Sequence, residues 1–597
     1  MKTFFTVTMV ATIFFAMPLK AQQASDGVAP EAEVNLAADF EAISSEVEAS
    51  LAAKADGKPI LAKNWMVAVA NPHAAVAGAR VLKEGGTAAD AMVTVQAVLG
   101  LVEPQSSGIG GGAFLVWFDA ATGELTTIDG RETAPLAATP QLFQNKDGEP
   151  LKFWDAVVGG RSVGVPGTPA LMEAAHKKWG QSAWSDLFAE AIYLAESGFA
   201  VSPRLAALVA GDSQRLRRFS DTAAYFFRDG RPLAEGARLT NLAYANVMRR
   251  MASEGADIIY SGDIAQAIVN AVRGAEGNPG VISLMDLAIY QVKERPAICT
   301  PFRGYQVCGM GPPSSGALTV GQILGLLDQF PVGSPDDPQT LRLLGDASRL
   351  AFSDRGRYMA DSDFVTMPTK GLVSANYLSD RARLLTGPNA LIEVLPGNPE
   401  YLHASLWADD MSLELPSTSH ISIVDSYGNA LSMTTTIENG FGSRLMTNGF
   451  LLNNELTDFS FSSHSEGVPI ANRVEPGKRP RSSMSPTIVL KDGLPNLVIG
   501  SPGGSRIIGY VAQAIVAHID WGMDVQTAVS IPHAVNRFGT FDLEKGTSLE
   551  NMVEPLESLG YKVKLRSLNS GLHAISVKEN GLSGGADPRR EGIALGQ

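Results

Sequence analysis

Hydrophobic and polar positions set three rhythms along the chain. From residue 73, apolar positions recur at helical spacing through HAAVAGARVLKE (73–84). After Gly85-Gly86 they resume through TAADAMVTVQAVLGL (87–101), so two helices are predicted. AFLVWFDA and ELTTIDG follow, a strand pair around the turn Ala121-Thr122-Gly123. Residues 165–395 read as mostly helical with polar, Gly- and Pro-containing connections. The last 180 residues change character: HISIVDS, ALSMTTTI, PTIVLKD, LPNLVIG and HAISVKE are short β-rich runs, with one helix at 506–518 among them. There is no internal repeat. Antiparallel strands mixed with helices predict an α+β fold in which helices cover sheets in layers.

The two ends of this pattern differ. Residues 1–21 carry Lys2, an apolar run from Phe4 to Met17, then Pro18 and a terminal Ala21. This is the layout of a secretory signal peptide cut after Ala21. The run falls short of the roughly 20 residues a membrane anchor needs. An exported protein, periplasmic or secreted, is therefore expected. Residues 22–63 are rich in Ala and acidic groups with weak apolar spacing. They read as a solvated helix or acidic mobile arm, with the globular part starting near Asn64. Of 597 residues, 45% are hydrophobic and 18% charged, which suits a large core and excludes general disorder. The net charge of −14 disfavours nucleic acid and anionic membrane surfaces as partners.

Export places the two cysteines in an oxidising compartment. Cys299 and Cys308 lie on two strands joined at Arg303-Gly304, and that turn sets them opposite each other, within disulfide reach. The alternative is a pair of reduced, buried thiols. Two motifs are decoys. Gly108 to Ala113 fits G-x-G-x-x-A, but a helix precedes it and a strand follows, the reverse of a dinucleotide site. Gly581 to Gly585 fits G-x-S-x-G, but no His follows it. Eight scattered histidines give no metal-binding spacing, so neither metal nor cofactor is expected.

The segment that carries chemistry is Pro416-Ser417-Thr418-Ser419-His420, leading into a hydroxyl-rich hairpin that ends at Thr434-Thr435-Thr436. A threonine hydroxyl needs a base, and no His-Asp pair is placed in sequence to serve Thr418. Nine blocks in order complete the picture: NPHAAVAGARVLKEGGTAADA, VEPQSSGIGGGAF, IDGRETAP, GPPSSGAL, TSHISIVDSYGNA, LLNNELTDFS, GKRPRSSMSPTIV, GSPGGSRI and GADPRREG. Together they resemble the γ-glutamyltranspeptidase family of N-terminal-nucleophile hydrolases over residues 64–597.

That resemblance implies a four-layer αββα sandwich and a chain that cuts itself between Ser417 and Thr418. A large fragment (22–417) and a small one (418–597) would form a heterodimer. Freed Thr418 would be the nucleophile with its own α-amino group as base, whose pKa of about 7.7–8.0 suits neutral pH. By matching motif, Thr436 would hydrogen-bond the nucleophile and Gly503 and Gly504 would form the oxyanion hole. Arg131, Ser482 and Ser483 would hold the substrate α-carboxylate, and Glu455 and Asp458 its α-ammonium. The implied reaction passes a γ-glutamyl group from glutathione or a related amide to water, an amino acid or a peptide.

Two positions and one segment depart from the family pattern. Glu438 stands where Asn is frequent, and would add a third carboxylate to the ammonium end of the pocket. Arg481 stands where Leu is common. Segment 459–481 is short for a lid loop and has no Tyr or Trp. A glutaryl- or cephalosporin-type amide acylase of the same fold is thus the alternative activity. An uncut, inactive binding homologue is the alternative of another class, against which an intact Thr418 argues.

Overall fold

The computed structural model describes residues 43–401, 406–410, 412 and 417–597. The expected signal peptide lies outside them. The core is two seven-stranded sheets. Their strands, numbered here in chain order, are β1 (Ile60–Ala62), β2 (Met66–Val69), β3 (Gly112–Phe118), β4 (Leu125–Gly130), β5 (Lys293–Arg295), β6 (Ile298–Phe302), β7 (Tyr305–Gly309), β8 (Ser419–Val424), β9 (Ala430–Thr436), β10 (Thr487–Lys491), β11 (Leu494–Gly500), β12 (His573–Lys578), β13 (Gly581–Ala586) and β14 (Ile593–Gly596). One sheet runs β14-β2-β8-β9-β3-β4-β5 and the other β1-β13-β12-β11-β10-β7-β6. All the pairings within them are antiparallel.

Strand alternation builds the layers. Val67, Val69, Leu115, Trp117, Ile421, Ile423, Leu431 and Met433 pack with the helices Pro72–Lys83 and Ala88–Val102. Their neighbours Met66, Ala68, Val116, Phe118, Val424 and Ala430 face the second sheet, meeting Ile488, Val498 and Ile575. The outer face of that sheet (Val489, Leu497, Ile499, Ala574) packs on the helices Gly316–Leu327, Pro338–Tyr358 and Ile507–Ile519. The order is helix, sheet, sheet, helix: the expected αββα sandwich. Local chemistry sets the helix starts. Asn71 caps the first helix with Pro72 at its first turn, and Thr87 and Asp90 form a capping box on the second.

The cysteine register holds: Cys299 faces Cys308 across the β6–β7 hairpin and the two are bridged. Gly581 to Gly585 lies within strand β13, not in an elbow. The acidic segment needs correction over its second half. Ser45–Ala55 is a capped helix whose Val47 and Ser50 are buried, and β1 joins a sheet before residue 64. Ser50 Oγ donates to the Ala594 carbonyl (2.7 Å), and Lys54 Nζ to those of Arg590 (3.0 Å) and Gly592 (2.7 Å). Few positions of this helix are buried, which is why its apolar spacing reads as weak. Residues 22–42 lie outside the described residues.

Candidate active site

Thr418 sits at the start of β8 and Thr436 at the end of β9. Ser419 faces Thr435 across the hairpin, so the two threonines meet at its open end. Thr418 Oγ donates to Thr436 Oγ (3.1 Å), which also accepts from the Glu438 amide (2.8 Å). The peptide between Ser417 and Thr418 is gripped on both sides. Ser417 Oγ donates to the Gln105 carbonyl (2.9 Å), and Arg590 Nη1 donates to the Thr418 carbonyl (3.1 Å). Thr418 has φ of 135°, a backbone region that costs a β-branched residue about 1–3 kcal/mol. His420, two residues on, cannot be its base. The ring lies between the sheets, bonded to Thr434 Oγ (2.9 Å) and Ser422 Oγ (3.0 Å), and burial holds its pKa well below the usual histidine value.

A small cavity opens at Thr418. Its wall includes nine of the ten residues singled out for catalysis or binding: Thr418, Thr436, Gly504, Arg131, Glu438, Glu455, Asp458, Ser482 and Ser483. Gly503 precedes Gly504 at the start of a 3-10 turn that runs into the helix Ile507–Ile519. Its φ is 137°, and a Cβ there would lie 2.7 Å from the Tyr510 ring, so only glycine fits. A larger cavity is lined by none of these residues.

Arg131 is the hub of the charged end. It is fully buried, pairs with Glu455 and Asp458, and donates to the carbonyls of Pro480 (3.2 Å) and Arg481 (2.9 Å). Burial alone would lower its pKa, but the two carboxylates hold it above the ordinary value. Glu455 is pushed well up by burial, against the pull of Arg131. Glu438 accepts from Asn454 Nδ2. Nearby, Arg444 pairs with Asp212 (2.8 Å) and donates to Asn439 (2.7 Å). Ser482 and Ser483 are clamped from behind. Ser315 Oγ donates to the Ser482 carbonyl (2.7 Å) and Arg355 Nη2 to Ser483 Oγ (2.8 Å). Among the described residues, no cluster of His, Cys, Asp or Glu is placed to hold a metal.

The comparisons with known proteins agree with this geometry. The gamma-glutamyltranspeptidase sequence model matches residues 74–597. The chain belongs to the γ-glutamyltranspeptidase family. It is 37% identical to a glutathione hydrolase proenzyme of Bacillus subtilis, over 89% of this chain and 92% of the relative. It is 36% identical to that of Escherichia coli, over 89% and 91%. Among solved structures, the cephalosporin acylase from Bacillus halodurans superposes with a TM-score of 0.80 at 25% identity, covering 90% of this chain and 97% of that one. The chain is thus an enzyme of the γ-glutamyltranspeptidase family with the N-terminal-nucleophile hydrolase fold.

Several residues at this family site escaped sequence reasoning. Gln105 and Arg590 grip the Ser417–Thr418 segment, Ser315 and Arg355 clamp the serines, and Glu132 lies fully buried beside Arg131 and Glu455. All but Arg355 fall in the blocks VEPQSSG, GADPRREG, GPPSSGAL and IDGRETAP. Those blocks are plain in the sequence, but apart from Arg131 beside Glu132 their partners lie more than a hundred residues away in the chain.

Proposed function

We propose that this chain is an exported proenzyme that cuts itself before Thr418 and then transfers γ-glutamyl groups from glutathione and related amides to water or an amine. The observation that carries the reading is the shared cavity. The Thr418 hydroxyl and a guanidinium ringed by carboxylates line the same wall.

In maturation, Thr418 Oγ attacks the Ser417 carbonyl carbon. The Ser417–Thr418 C–N bond breaks, the hydroxyl proton passes to the departing nitrogen, and an ester remains. Water opens that ester, leaving a Ser417 carboxylate and a Thr418 with free amine and hydroxyl. The strained φ of Thr418 and the grips on Ser417 and the Thr418 carbonyl support this step.

In turnover, the Thr418 amine accepts the hydroxyl proton while Oγ attacks the γ-carbonyl. The oxyanion faces the Gly503-Gly504 turn, and the leaving amine takes the proton. The γ-glutamyl ester then passes to water or an acceptor amine. At the far end, Arg131 with Ser482 and Ser483 takes the α-carboxylate. Glu438, Glu455 and Asp458 take the ammonium, whose three donors and single charge match acidic acceptors.

The acylase reading is favoured by the likeness to a cephalosporin acylase. A glutaryl group has no ammonium, so its binding would leave the pocket carboxylates without that partner. Side-by-side kcat/KM for γ-glutamyl and glutaryl anilides decides between the two. A γ-glutamyl preference of about 10–10³, the equivalent of roughly 1.4–4 kcal/mol, is expected. Equal or better glutaryl turnover sinks the transpeptidase reading. Thr418→Ala should stay one chain and be inactive, whereas wild type should show two chains with the smaller starting at Thr418. An uncut, fully active wild type would overturn the mechanism.

A further inference from the structure

Arg481, where the family commonly has Leu, is buried at 1% exposure and pairs with an equally buried Asp410 (2.9 Å). Asp410 lies upstream of the proposed cut and Arg481 downstream of it. The pair therefore joins the two fragments once the covalent link at Ser417 is gone.

Asp410 is well seated without that link. Its amide donates to the Gly356 carbonyl (3.0 Å), and its carboxylate accepts from Asn472 Nδ2 (3.0 Å) and from the Ser412 amide (2.9 Å) and hydroxyl (2.8 Å). The Ala408 amide donates to the Pro469 carbonyl (3.0 Å), and Trp407 packs against a small cluster of Ala360, Val365 and Ala471.

The two small-fragment residues that Asp410 holds also reach the substrate pocket. The Arg481 carbonyl accepts from Arg131 Nη2 (2.9 Å). Asn472 Nδ2 donates to the Asp458 carbonyl (2.8 Å), and Asn472 Oδ1 accepts from the Arg481 amide (3.0 Å). One chain of bonds thus runs from Asp410 through Arg481 and Asn472 to the Arg131 guanidinium and to the main-chain carbonyl of Asp458.

We propose that Asp410 is a positioning residue: residues 406–410 stay docked on the small fragment after self-cleavage, and the Asp410 carboxylate, acting through Arg481 and Asn472, sets the placement of Arg131 and Asp458. The assignment rests on the γ-glutamyl reading of the pocket. Its energetics are those of a buried pair. Losing one partner strands the other charge, whereas removing both together is close to neutral.

The test uses the purified, self-cleaved enzyme and γ-glutamyl p-nitroanilide. Asp410→Ala should raise KM by about tenfold, the equivalent of about 1.4 kcal/mol, with a much smaller change in kcat. Adding Arg481→Leu to Asp410→Ala should restore stability but leave KM raised, because Asn472 has still lost the Asp410 carboxylate. A residue that only stabilised the fold would lower the yield or melting temperature of Asp410→Ala and leave KM unmoved, and that result overturns the proposal. So does a double variant whose KM returns to near wild type.

Hydrogen exchange on mature wild type is independent of how the variants fold. The Ala408 and Asp410 amides should remain protected, and exchange at free-peptide rates would show that the tail leaves. If wild type turns over no γ-glutamyl donor, the functional reading fails, while the exchange measurement still decides whether the tail is docked.

Discussion

At the scale of single residues, Arg131 shows why one cation is not another. Its planar fork spends four donors at once, on two carboxylates and two carbonyls. Lysine keeps the charge but presents a single ammonium on a flexible stem. Arg131→Lys is expected to lower γ-glutamyl kcat/KM by about 10²-fold, the loss of one or two charged hydrogen bonds at about 1.5–3 kcal/mol each. Self-cleavage, which needs no substrate, should proceed, as a gel of the purified variant would report. Beside it, burial raises Glu132 from 4.5 to about 8, against the lowering pull of Arg131. The folded state therefore keeps a proton that the unfolded chain releases above about pH 4.5. Stability falls as pH climbs through this window, by up to about 1.4 kcal/mol per pH unit, and levels off above about pH 8. Glu132→Gln should make that decline shallower. Denaturant melts of both proteins at pH 5.5 and 8 check it, and parallel slopes would refute it.

At the scale of elements, the site is assembled from ends. Thr418 and Thr436 lie at the open end of the β8–β9 hairpin, Arg131 follows the last residue of β4, and Gly503-Gly504 leads into the helix Ile507–Ile519. Ends leave backbone groups unused by ladders and helices, and those groups are available to a ligand. The glycine turn is the least tolerant of these. Gly503→Ala would need a β-carbon at φ 137° and 2.7 Å from Tyr510. It should cut kcat by about 10²–10³, the usual loss for one oxyanion donor. A kcat within threefold of wild type would remove this turn from the oxyanion site. The short segment 459–481 forms a small exposed hairpin, His464–Ser465 with Val468–Pro469. Its later residues Asn472 and Arg481 reach back under the pocket instead of over it.

At the scale of the whole molecule, the proposed cut does not divide the fold. β8 and β9 come after Ser417, yet they sit in the middle of a sheet between β2 and β3, which come before it. In the other sheet, β6 and β7 from before the cut extend β10 from after it. Separating the fragments would break both ladders and open the core between the sheets. The two fragments should therefore co-elute from a sizing column in native buffer and part only in denaturant. Dissociation on simple dilution would contradict this interleaving. Among the described residues, no helix is long and apolar enough to cross a membrane.

Much was legible in the sequence because it is written locally. Period-two and period-3.6 patterns located β3, β4, β8 to β12 and the helices beginning at 72, 88 and 507 to within about two residues. The Arg303-Gly304 turn set the cysteine register through its own geometry. The family blocks named the residues that line the cavity. Other features depend on partners far along the chain, which no window can see. The helix Ser45–Ala55 is held by β14 and the loop before it, more than five hundred residues away, so its own composition reads as solvated. Arg481 looks like a plain departure until Asp410, seventy-one residues earlier, is brought against it. The reading of Thr418 as nucleophile came from the family blocks, and residue type agrees with it, since a hydroxyl needs a base and no His-Asp pair is placed in sequence to serve it. The burial of the carboxylates around Arg131, and the shift of their proton affinities, were decided by packing, because the free energy of a charge depends on what surrounds it and not on its neighbours in sequence.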